Sequence, residues 1–140
     1  MKTQTMKHLL MLVCLCSLIG CSTATKTNSN LLNGTWVPVK QEMGGKEFPS
    51  AVFEKQKLVI SDSMYTLSAE SVDKGALQYA NGKMDIYGRE GVNAGKHFTA
   101  IYTHEADQLT ICYNLKGDSY PEAFETTSKP MLFLSVFKHE

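Results

Sequence analysis

The sequence predicts an all-β domain, a single antiparallel eight-stranded up-and-down barrel with one short helix. Three observations point there. From residue 31 onward apolar residues recur with a period of two, the runs are short and punctuated by Gly, Asn and Asp turns, and no stretch sustains a 3.6-residue period over helical length. Sequential strands with short turns make an antiparallel meander, and closing eight of them removes exposed edges. A two-sheet β-sandwich is the alternative, because strand counting does not detect closure.

The first strand, 34–40, holds Gly34, Thr35, Trp36 and Val37 and ends toward the turn pair Gly44, Gly45. Residues 50–57, with Val52 and Phe53, form a short helix-like piece over an open end. Strands at 58–60 and 64–67 are split by Ser61, Asp62 and Ser63. Those at 76–79 and 84–87 are joined by Asn81, Gly82, whose tolerance of positive φ suits a two-residue hairpin. A loop bearing Gly88, Gly91 and Gly95 leads to 98–103. The seventh strand, 109–113, follows a tight acidic turn, and the eighth, 132–137, follows a long connection.

Residues 1–20 stand apart from this domain. Lys2 and Lys7 precede an apolar run of about a dozen residues, the length of a signal-peptide core and short of the roughly 20 that span a bilayer. Leu18, Ile19, Gly20 and Cys21 resemble a bacterial lipobox, which implies cleavage before Cys21 and lipid attachment to it. The polar, small residues 22–30 read as a flexible tether, so the barrel domain occupies 31–140. Ser22, where an acidic residue would retain the chain, resembles the sorting signal for the outer membrane, which places the domain in the periplasm.

The 140 residues carry 14 basic and 14 acidic side chains, and removing Lys2 and Lys7 makes the processed chain mildly acidic. No basic cluster suits a phosphate backbone, so nucleic acid is not a partner. Of four cysteines only Cys112 remains as a thiol, and a monomer is expected without an internal disulfide.

Gly34, Thr35 and Trp36, then Gly45 and Pro49, Ile101 and Tyr102, Asp107 and Leu109, and finally Val136, Phe137 and Lys138 resemble a lipocalin-like family of uncharacterised bacterial domains abundant in Planctomycetes. The similarity spans 31–140. It includes Cys112, Tyr113, Gly117, Pro121 and Phe124, with Tyr120 where that family commonly has Arg. The resemblance implies a calycin-type barrel and carries no activity with it. It also implies that Trp36 plugs the base of the barrel, with a cation from the last strand, Lys138 or His139, over the indole.

No catalytic constellation emerges, and no cofactor or metal is assigned. His97 and His104, seven apart near one strand, face opposite sides, and no Cys/His pair has ligand spacing. Cys112 shares its face with Thr110 and Asn114, away from any base, and reads as an inert small residue. Lys83, Asp85, Tyr87 and Arg89 form a solvated outer face opposite Met84 and Ile86. The protein is therefore expected to be no enzyme but a membrane-anchored lipoprotein binding a small hydrophobic ligand. Met84, Ile86, Phe98, Ala100, Tyr102 and Leu134 would line the pocket, which opens near the loop 88–95. The alternative is an envelope protein-interaction or inhibitor lipoprotein whose barrel is filled.

Overall fold

The computed structural model describes residues 30–140. The leader, Cys21 and the tether up to residue 29 lie outside the described residues. Nine strands run in order: β1 (Gly34–Met43), β2 (Lys46–Glu47), β3 (Lys57–Ser61), β4 (Met64–Ser68), β5 (Val72–Ala80), β6 (Lys83–Glu90), β7 (His97–Glu105), β8 (Gln108–Asn114) and β9 (Leu132–His139). All neighbours are antiparallel, and β1 pairs β9 from Trp36 opposite His139 to Met43 opposite Phe133. The sheet is therefore a closed barrel of eight strands, with β2 a short outer strand hairpinned onto β1. Closure excludes the sandwich.

Alternation sets the two faces. Leu58 and Ile60 of β3, Leu77 and Tyr79 of β5, Met84 and Ile86 of β6, Leu109 and Ile111 of β8 and Phe137 of β9 all turn inward and form one core with Trp36. Strand β1 changes parity part-way. Pro38 has no N–H to give the ladder, and the register slips between Pro38 and Lys40, pushing Val39 out to solvent. Beyond that bulge Gln41 faces Ser135 across the β1–β9 ladder, and both are buried.

The two ends differ. At the base the chain enters through a turn at residues 30–32, and the tight hairpins after β3, β5 and β7 gather there. Asn81 and Gly82 supply the consecutive positive φ angles, 52° and 76°, that a right-twisted two-residue turn needs. Trp36 is 1% exposed and donates its indole N–H to the Leu32 carbonyl at 2.8 Å. His139 and His104 present their rings edge-on to it at 4.9 and 5.4 Å. The last-strand partner over the indole is thus His139, while Lys138 points outward to Asp107. Gly34, at φ 144°, makes this possible, since any Cβ there would collide with the His139 imidazole.

At the other end longer segments form a mouth. The expected short helix shrinks to a single 3-10 turn, Ser50–Val52, and Lys57 already belongs to β3. The connection 115–131 folds back over the outside of β8 and β9. It is tied to β1 by Thr126, whose hydroxyl donates to Glu42 at 2.7 Å and accepts the Gly45 N–H at 2.9 Å. Among the described residues, 30–140, the strands pair into a closed ring around one shared core, so this segment makes a complete barrel.

Candidate functional site

Toward the mouth the inward side chains leave a space between them. A cavity of about 470 Å³ opens at the mouth, within the roughly 300–1,000 Å³ typical of small-molecule sites. Its walls are chiefly apolar, from Leu58, Ile60 and Leu67 on one side to Ile111, Phe133 and Phe137 on the other. Gln56, Asn93, Lys96, Leu115 and Met131 come from the mouth segments. The loop carrying Asn93 is latched by Asp73, a buried carboxylate on β5 that accepts the Asn93 backbone N–H at 3.0 Å and its side-chain amide at 3.4 Å.

Of the residues expected to line a pocket, Met84, Ile86 and Phe98 do so. Ala100 and Tyr102 share the inward face of β7 with Phe98 but lie nearer the base. Ala100 is wholly buried, and Tyr102 packs edge-to-face on Tyr79 at 5.7 Å. Leu134 is a correction. It pairs with Cys112 and Glu42 on the outer face, so it turns away from the cavity, and it is buried because the 115–131 connection roofs it. A strand covered on both sides is apolar on both sides, which removes the alternation that would reveal its parity. The inward residues of β9 are Phe133, Ser135 and Phe137.

Four polar side chains line this interior below the mouth loop, and two of them are satisfied by each other. Gln41 donates to the Gln56 side-chain oxygen at 2.8 Å. The others, Tyr65 of β4 and Tyr113 of β8, went unremarked in the sequence reading as site residues, although the alternation of Tyr65 with Leu67 and of Tyr113 with Ile111 already turned them inward. Tyr65 lies across Gly75, which leaves its ring the room a Cβ would take. Burial, and secondarily the Asp73 carboxylate, push the Tyr65 hydroxyl above its ordinary value. Burial raises Tyr113 further, with a smaller contribution from Tyr65. Both are neutral hydrogen-bond donors across the physiological range.

Outside the barrel, polar groups of β6, β7 and the connection form a second cluster. Asp85 accepts from Tyr120 at 2.6 Å and meets His97 Nε2 at 2.8 Å, while His97 stacks on Tyr87 at 4.7 Å. Both carboxylate oxygens are used, so the cluster is a fastening for the connection. His97 lies on this outer face and His104 at the base inside, on opposite sides of β7. Cys112 is fully buried beneath the connection, and desolvation pushes its thiol up, which keeps it protonated. Among the described residues no group of three or more His, Cys, Asp or Glu side chains is placed to hold a metal ion. Comparison with protein-family models, curated proteins and solved structures finds no match to this chain.

Proposed function

We propose that this protein is a lipid-anchored binder of one small hydrophobic molecule, held in the barrel interior and reached through the mouth. The observation that carries the reading is the cavity itself: a closed barrel of eight strands has an interior just wide enough to be filled by its own side chains, and here it is not filled. The apolar walls suit a ligand that water holds poorly, since each buried CH₂ contributes about 0.8 kcal/mol. The closed eight-strand barrel is of the kind that the resemblance to a lipocalin-like family implies. The protein acts as a monomer and catalyses no reaction.

The anchor is the lipid on Cys21, which follows a lipobox-like run and precedes a polar tether, and Ser22 directs the chain to the outer membrane with the barrel in the periplasm. Replacing Cys21 with Ser should leave a larger precursor that takes up no labelled palmitate; label in that variant would overturn the anchor.

The binding role is tested on residues 30–140 with an environment-sensitive apolar dye. Saturation near one dye per chain, lost in a cavity-filling Leu67→Trp variant that remains folded, supports it. If the folded wild-type domain binds neither dye nor hydrocarbon, the cavity has no such use, and a barrel that serves through contacts with a protein partner becomes the better reading.

A further inference from the structure

The cavity is apolar but not featureless. Tyr65 is 6% exposed, Tyr113 is half-buried, and both reach the same space from β4 and β8. Neither hydroxyl has a hydrogen-bond partner among the described residues, although every fully buried side-chain polar atom there has one. The two hydroxyls are therefore not sealed off from the cavity, and that of Tyr65 lies over Gly75 on its wall. Each is a donor that a molecule in the cavity can meet without breaking a hydrogen bond within the protein.

The charges around the chamber narrow what meets them. The one cation among its lining residues is Lys96, which belongs to the mouth loop. The carboxylate that acts on Tyr65 is Asp73, close enough to raise its hydroxyl and held by Asn93. An anionic group carried down to the tyrosines would meet this negative charge with no cation to offset it, in a setting where water screens little. An uncharged oxygen meets two donors and no repulsion.

We infer that Tyr65 and Tyr113 are the polar subsite of the cavity, and that its ligand is an uncharged amphiphile: an apolar body bearing one hydroxyl or carbonyl oxygen, which takes hydrogen bonds from the two phenols. This inference rests on the binding role proposed above and adds its specificity. A carboxylate-headed lipid enters this cavity only with its head at the mouth, beside Lys96.

The test uses residues 30–140 and four ligands of equal carbon count: a primary alcohol, its methyl ketone, the corresponding carboxylic acid at neutral pH, and the hydrocarbon. Affinities are measured by displacement of the dye in wild type, Tyr65→Phe and Tyr113→Phe. Each substitution should weaken the alcohol and the ketone by roughly fivefold, the worth of one net hydrogen bond. The hydrocarbon and the acid should bind each variant as they bind wild type. If both variants bind the alcohol and ketone as wild type does while the hydrocarbon still binds, the subsite is wrong and the apolar cavity stands. If the acid loses as much as the alcohol, the preference for an uncharged group is wrong. If no ligand and no dye binds the folded wild type, the binding role itself fails, and the subsite with it. Blue-shifted Trp36 emission in each variant shows that it has folded.

Discussion

Trp36 shows how much one residue is asked to do. Its ring closes the base, its N–H is satisfied by Leu32, and two imidazoles stand perpendicular against it, so almost none of it faces water. Truncating a large buried aromatic removes both its transfer free energy and the packing around it. Trp36→Ala should therefore destabilise the domain by about 3–5 kcal/mol in urea titration. As the only indole in the chain, Trp36 reports on itself. Emission from the native domain should be blue-shifted, and water-like emission would show that the base is open. Gly34 belongs to the same arrangement, since it yields its space to His139. Both the Gly and the Trp stand out in the sequence, but His104, which also meets the indole, does not, because nothing local says that β7 and β1 share the base.

At the scale of elements, the mouth is where strands end and longer segments take over. The loop 91–96 is held to β5 mainly through Asp73, which receives two hydrogen bonds from Asn93. Asp73→Ala leaves the Asn93 N–H without its acceptor and should lower stability by about 1–3 kcal/mol. Because the loop lines the cavity, the same change should raise amide exchange across 91–96 and speed release of a bound dye. Exchange confined to its wild-type rate would mean that the loop is held by something other than this latch. The beginning of β5 is also where sequence reading falls short. The strand expected at 76–79 begins earlier, and Asp73, Lys74 and Gly75 belong to it, with Asp73 inward to serve the latch and Gly75 bare to admit Tyr65. By contrast β6 declares itself, because Met84 and Ile86 alternate with Lys83 and Asp85 and only one of its faces is covered. Strand β9 hides its parity for the opposite reason, and Leu134 is assigned to the wrong face as a result. The bulge at Pro38 is legible only as a Pro inside a strand, and the inward turn of Gln41 and Met43 that follows depends on the β9 register.

Across the whole molecule, closure gathers side chains from strands far apart in the chain into one interior, four of them tyrosines. Burial raises Tyr65, Tyr79, Tyr102 and Tyr113 above the ordinary 10.0, and in each it is the largest cause. Folded-state values lie above unfolded ones, so these phenols contribute stability that is fully present below about pH 10. That stability is lost as the pH rises past this value, because the unfolded chain then sheds protons that the fold retains. The interior phenols should not titrate singly. Tyrosinate absorbance from them should appear together with the loss of blue-shifted Trp36 emission, in one cooperative alkaline transition, and a bound uncharged ligand should move that transition to higher pH by mass action. Tyr65→Phe and Tyr113→Phe should remove part of the absorbance change without abolishing the transition, since Tyr79 and Tyr102 remain. If the absorbance of these four rings instead rises near pH 10 while Trp36 emission holds, solvent reaches the interior phenols freely in the folded barrel, and their burial contributes nothing to stability at alkaline pH.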